Sequence, residues 1–173
     1  ESSRVHMNMR AKKGILIMME YEVVTMEEKK VVGLAARTNN MSSDMGNVIG
    51  GLWNDFYGKG VYQAIGHKAD QKALGIYKDY AGDHRDDYTV MVACAVTEAE
   101  ETKDAPVPVV STVIPAGKYA RFIVKGDCKT AVGEFWQKLW SMDLPRSFQC
   151  DYEEYQNDDC EHAEVHIYIG LKG

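Results

Sequence analysis

The sequence predicts an α+β fold in which one βαββ unit occurs twice about an approximate twofold axis. Three observations lead there. Segments of strand and helix character follow in the order strand, helix, strand, strand, and that order returns after a charged, proline-containing stretch. The helical motif Gly50-Gly-Leu-Trp-Asn-Asp-Phe-Tyr57 is echoed by Gly133-Glu-Phe-Trp-Gln-Lys-Leu-Trp140, and Tyr77-Lys-Asp-Tyr80 is echoed by Tyr152-Glu-Glu-Tyr155. Matching motifs in a matching order indicate internal duplication, and a groove between two repeats is a common ligand site. On this alignment Lys78 of the first half stands where the second half carries Glu153.

Each element has its own justification. The head, residues 1–20, reads as leader or vector residues and is set aside; its apolar run Gly14-Ile-Leu-Ile-Met-Met19 is too short to span a bilayer. The remainder, 21–173, forms one domain: a first half at 21–97, a linker at 98–108 and a second half at 109–173. Tyr21–Thr25 and Lys30–Arg37 read as a strand pair, or as one strand broken at Glu27-Glu-Lys29. Ser42, Ser43 and Asp44 are N-cap candidates for a helix from Met45 to Tyr57, whose apolar stripe is Val48, Ile49, Leu52, Trp53, Phe56 and Tyr57. Gly58-Lys-Gly60 stops it. After a polar connection, Leu74–Tyr80 and Tyr88–Val96 are strands.

Glu98 to Pro108, charged and with two prolines, is the clearest boundary. Beyond it, Val109–Ile114 and Lys118–Lys125 are strand-like around Pro115-Ala-Gly117. A helix from about Ala131 to Met142 follows, with Val132, Phe135, Trp136, Leu139 and Trp140 on its stripe. Phe148–Tyr155 and Ala163–Ile169 close the chain as strands.

Composition narrows the function. With 20 Lys+Arg against 26 Asp+Glu the net charge is −6, which argues against nucleic-acid binding and mildly favours cationic partners. The four cysteines, at 94, 128, 150 and 160, form no CxxC pair, and with no signal peptide in evidence reduced thiols in a cytoplasm are the default reading. His162 and His166, four strand positions and about 13 Å apart, are too far for one metal ion. The chain carries no phosphate loop, no dinucleotide fingerprint and no nucleophile elbow, so neither a metal nor a cofactor is expected.

The chemistry concentrates in the last strand pair. Alternation puts Glu153 and Tyr155 on one face and Tyr152 and Glu154 on the other. On these residues alone the strand reads either as a half-exposed edge with solvated glutamates or as one with an inward face. In the second case a carboxylate stands beside aromatic rings, and a buried carboxylate needs a partner, for which a cation is suited. Trp53, Trp136 and Trp140, with Phe56 and Tyr57, read as helix core or as pocket walls. Tyr77, Tyr88, Tyr119 and Tyr168 are further aromatic candidates whose faces alternation leaves undecided. Met41, Met45, Met91 and Met142 read as core filling, with the lining of an adaptable pocket as the alternative.

Taken together, the helix Gly-Leu-Trp-Asn-Asp-Phe-Tyr57, the hairpin Gly75–Tyr80 with Tyr88–Val96, Ile114-Pro-Ala-Gly-Lys-Tyr119 before Lys125-Gly126, and Tyr152-Glu-Glu-Tyr155 before Ala163–Ile169 resemble the GyrI-like, AraC-type bacterial effector-binding domains. The resemblance spans about Tyr21 to Lys172. It is strongest with stand-alone members that bind cationic drugs, one of them encoded on an integron cassette. It implies antiparallel sheets with helices flanking a central groove, and a groove glutamate that meets lipophilic cations. The matching residue is Glu153, with Tyr155 completing the motif; a one-residue slip would transfer the role to Glu154. Trp53 and Trp136 become pocket walls, with Phe56, Tyr57, Tyr77, Tyr88 and Trp140 around them.

The reading is a non-catalytic, cytoplasmic sensor or sequestering module for amphipathic organic cations. It needs no membrane and no direct nucleic-acid contact, and a protein partner, a regulator or gyrase, is left open. The alternative, drawn from related hydrolases, is hydrolysis of strained electrophilic compounds with the groove glutamate as general base.

Overall fold

The computed structural model describes residues 3–10, 16–98 and 105–173, with side chains from Met19 onward, so most of the expected 98–108 linker lies outside the described residues. Within them the strands are β1 (Ser3–Arg10), β2 (Leu16–Met26), β3 (Lys29–Asn39), β4 (Ala73–Lys78), β5 (Asp87–Ala95), β6 (Val110–Ile114), β7 (Gly117–Gly126), β8 (Arg146–Tyr155) and β9 (Ala163–Leu171). The helices are α1 (Met45–Gly58), α2 (Val61–Ala64) and α3 (Cys128–Trp140). No helix among these residues is long and apolar enough to cross a membrane. The stretch set aside as leader contributes β1 and the start of β2, which pair with each other from Ser3↔Val23 to Arg10↔Leu16.

All strands join one antiparallel sheet in the order β1-β2-β7-β9-β8-β4-β5-β3-β6. Its centre is a palindrome of the two repeats. β7-α3-β8-β9 supplies one side, β3-α1-β4-β5 the other, and they meet at the β4–β8 pair, where the approximate twofold passes. β2 and β6 cross between the halves: β2 pairs with β7 (Met26↔Gly117) and β6 with β3 (Lys29↔Ile114).

Only Glu27 and Glu28 separate β2 from β3, and only Pro115 and Ala116 separate β6 from β7. Three chain steps reach about 11 Å at most. Strands far apart in sheet order are therefore brought together there, so the sheet must curl. The segment expected as a strand pair or one broken strand is two strands that do not pair with each other, divided by a break at Glu27-Glu28, and Pro115-Ala116 is the matching break between β6 and β7.

The curl makes two different surfaces. The helix-free face closes on itself around Leu74, Ile76, Met91, Tyr119, Tyr152 and Tyr168. The other face is covered by helices. Val132, Phe135 and Leu139 of α3 pack on Phe122, Val165 and Ile167, while Phe56 of α1 packs with Val32, Leu34 and Val92. Helix α2, inside the stretch read as a polar connection, begins after Gly60 at φ 75°, and Val61 with the following Ile65 seals the α1 core.

Two expectations are corrected here. Lys78 is not the counterpart of Glu153. Gly75 is the residue paired with Glu153, so Lys78, three positions on, lies on the opposite face and donates to Thr112 Oγ1 (2.8 Å). A twofold axis between two strands keeps faces together, and the Tyr-x-x-Tyr alignment is off by one residue in this respect. Nor are all the thiols reduced. Cys128 at the start of α3 and Cys160 in the β8–β9 turn form a disulfide with Cα atoms 5.0 Å apart, inside the range such a bond requires. The Cys128 N–H also donates to the Cys160 carbonyl (2.7 Å). Cys94 and Cys150 are buried thiols outside this disulfide.

Candidate functional site

The space between α1 and α3 over the middle of the sheet is a groove of about 1460 Å³. Its floor is the β4–β8 pair. Glu153 faces up into it, 2% exposed, and accepts three hydrogen bonds: from Trp136 Nε1 (2.7 Å), Tyr155 Oη (2.8 Å) and Tyr77 Oη (2.9 Å). All three donors are neutral. Burial raises the affinity of Glu153 for a proton, the three hydrogen bonds oppose that, and the net direction is upward. Burial and the neighbouring carboxylate push the hydroxyls of Tyr77 and Tyr155 well above the ordinary tyrosine range, which keeps them donors.

Sequence places a glycine opposite this carboxylate. A Cβ on Gly75 would stand 2.7 Å from Glu153 Oε1 and 3.6 Å from the Trp53 ring. The missing side chain is what lets both lie against β4.

The walls come from helical spacing. Met45, Ile49, Trp53 and Tyr57 line the groove from α1, and Lys129, Val132, Trp136 and Trp140 from α3, each series at steps of three or four residues. Trp53 meets the edge of Tyr155 (5.0 Å between centroids) and stacks with Tyr57 (6.2 Å). Trp136 meets Tyr77 (5.0 Å), and Tyr77 meets Tyr88 (5.7 Å). Aromatic edges and faces thus surround one buried carboxylate.

Glu154 belongs to the other face. It is 6% exposed, pairs with Lys29 Nζ (3.1 Å) and Lys72 Nζ (3.6 Å), and accepts from Gln156 Nε2 (2.9 Å). The Gln156 hydrogen bond and the two lysines outweigh its burial and lower its proton affinity. It is neither in the groove nor solvated.

Of the residues singled out in the sequence, Glu153, Tyr155, Trp53, Trp136, Tyr57, Tyr77, Tyr88 and Trp140 all line this groove. Phe56 does not. It is fully buried in the core beneath α1, because it sits three positions on from Trp53 and so rotates toward the sheet. Tyr119 and Tyr168 lie in the helix-free core.

Several lining residues were not anticipated. Tyr80 reaches the groove because β4 ends at Lys78 and Asp79, at φ 52°, turns the chain. His84 stacks on Trp140 (5.9 Å, 9°), and Arg146 lies at the same end. His162 and His166 contact different carboxylates, Asp159 and Glu164.

The family model of Cass2, integron-associated effector binding protein, matches residues 22–171. No curated protein matches the sequence. Among solved structures, an integron cassette protein from the mobile metagenome of Vibrio cholerae is similar at 24% identity and a TM-score of 0.66, over 86% of this chain and 95% of that one. A putative bacterial transcription regulation protein from Staphylococcus aureus is similar at 18% identity and 0.70, over 90% and 99%. The protein SAV2435, solved bound to tetraphenylphosphonium, is similar at 19% identity and 0.71, over 90% and 95%.

Proposed function

The chain belongs to the integron-associated effector-binding protein family, and from that premise we propose that its effectors are amphipathic organic cations, bound between Trp53 and Trp136 with Glu153 as charge partner. The observation that carries this reading is Glu153 itself: a buried carboxylate on the groove floor, held by three neutral donors and, among the described residues, by no lysine or arginine. Desolvating a carboxylate without a counter-charge is costly. A cation entering the groove supplies what the protein leaves out, and the surrounding rings add cation–π attraction of about 0.5–2 kcal/mol each. The bound tetraphenylphosphonium of SAV2435, a lipophilic monocation on the same fold, fits this reading.

Micromolar affinity needs only about 8.2 kcal/mol net, so broad and moderate binding is the expected behaviour. The test is calorimetric titration with tetraphenylphosphonium and with neutral triphenylphosphine oxide. Glu153→Gln keeps the shape and removes the charge. Loss of a charged hydrogen-bonding partner is worth about 1.5–3 kcal/mol, so cation affinity should fall roughly tenfold to a hundredfold while the neutral compound is unaffected. Unchanged affinity for tetraphenylphosphonium in Glu153→Gln would overturn the reading.

A further inference from the structure

We propose that the groove has a second pole, at Arg146, which favours cations carrying a hydrogen-bond acceptor (a carbonyl, ester or carboxylate oxygen) at one end. The proposal rests on the reading of Glu153 as charge partner and adds a second determinant to it.

Strand β8 puts two carboxylates on its groove-side face, Asp151 and Glu153, about 7 Å apart along the strand. Their surroundings differ. Asp151 is fully buried and fully engaged: Oδ2 accepts from Arg146 Nη2 (2.6 Å) and Tyr80 Oη (2.7 Å), and Oδ1 from the Gly170 N–H (2.9 Å). Its charge is balanced from within the protein.

Arg146 is left with the surplus. A guanidinium offers five N–H donors. Among the described residues only Nη2 has an acceptor, and Nε is buried with none. The side chain is 5% exposed, lies 4.2 Å over the Phe148 ring and lines the same groove as Glu153. Backbone geometry holds it there. Phe148 at φ 54° and the register shift between Arg146 and Asp151 bend β8, so that its first residue returns over Asp151.

Nε is sealed from the groove, so a ligand meets the guanidinium at its Nη end, and an acceptor that reaches a guanidinium there makes one of the stronger hydrogen bonds available. The groove is therefore polarised along β8. Glu153 takes positive charge, and Arg146, about one short spacer away, takes an acceptor. Monocations with an oxygen-bearing tail are therefore preferred over the same cations without one.

The test uses a matched dye pair with one xanthylium cation: tetramethylrosamine, which has a bare phenyl ring, and tetramethylrhodamine methyl ester, which adds an ester to that ring. Tryptophan quenching gives both affinities. Wild type should bind the ester about tenfold tighter. Arg146→Lys keeps a positive charge beside Asp151 but removes the planar fork; it should reduce the ester's advantage over tetramethylrosamine to within twofold.

The double variant Arg146→Gln with Asp151→Asn, which leaves no unpaired buried charge, should do the same. Equal affinities in wild type, or an ester advantage that survives both variants, would overturn the second pole while leaving the charge reading intact. Failure of tetramethylrosamine itself to bind would instead remove the charge reading, and the second pole with it.

Discussion

Glu153 and Glu154 are neighbours in one strand, both buried, and the fold treats them in opposite ways. Glu154, on the helix-free side, has two lysines and a glutamine around it, and its proton affinity is lowered. Glu153, on the groove side, has two tyrosines and a tryptophan, all neutral, and its proton affinity is raised. One carboxylate is neutralised by the chain that contains it. The other is fixed in position with its charge uncompensated, and the proposed cation site rests on that difference. The pleat of β8 separates the two roles by a single residue.

The comparison breaks most visibly in stability. Glu154→Ala strands Lys29, which also lies 5.5 Å over the Tyr152 ring, above a buried face. Breaking a fully buried pair costs about 3–5 kcal/mol. Because the lysine side chains are 27% and 39% exposed, solvent screening lowers the expected loss to about 2–3 kcal/mol. Urea denaturation should show that loss, with tetraphenylphosphonium affinity unchanged in the folded protein. Glu153→Gln should show the reverse: unimpaired stability and weaker cation binding. If Glu154→Ala weakened cation binding as much as Glu153→Gln does, the two faces would not be functionally separate.

A smaller effect sharpens the groove side alone. Gly75→Ala puts a methyl 2.7 Å from Glu153 Oε1 and against Trp53. Overpacking of this kind costs about 1–2 kcal/mol, and the displaced carboxylate must give up at least one of its three donors. Reduced thermal stability together with several-fold weaker cation binding is expected; wild-type values for both would mean that the carboxylate position is not set by this contact.

Gly75 also marks where the sequence could be read and where it could not. A glycine inside a strand signals close approach, but only the β4–β8 register identifies Glu153 as what approaches. Alternation put Glu153 and Tyr155 on one face because it holds within a regular strand, and spacing put Trp53 and Trp136 on helical stripes. That this face and these stripes border a groove came from the family resemblance, not from the periodicity. Where backbone regularity ends, the reading ends too. Tyr80 and Arg146 reach the groove through positive-φ residues, Asp79 and Phe148, that no periodicity announces. The Cys128–Cys160 bond joins a helix start to a distant turn, and the crossing of β2 to β7 joins opposite halves. Such contacts depend on how the sheet curls, a tertiary property with no local signature. Phe56 was misassigned for a narrower reason: an apolar helical stripe wide enough to serve both core and groove does not say which edge faces which.

The finest test of the contrast is pH, because the two carboxylates respond to acid in opposite directions. Glu153 has a raised proton affinity in the folded state, so its ionised form disfavours folding. As pH falls through its folded value toward the ordinary carboxylate range it protonates, and the empty protein gains stability. Glu154 has a lowered affinity, so its contribution is present above the ordinary carboxylate range and is lost only as pH falls through the lower folded value. Between the two lies a window in which the fold is held by ionised Glu154 while Glu153 is increasingly neutral. Cation affinity should decline across that window without unfolding, by roughly tenfold for each unit of pH below the Glu153 value, and by less than that at its upper edge. The accompanying proton can be counted. Binding a cation favours ionised Glu153, so calorimetry in two buffers of different ionisation enthalpy should show up to one proton released per tetraphenylphosphonium bound, and none in Glu153→Gln. Release of the same proton by Glu153→Gln would assign the titration to another group and remove the acid sensitivity of binding from Glu153.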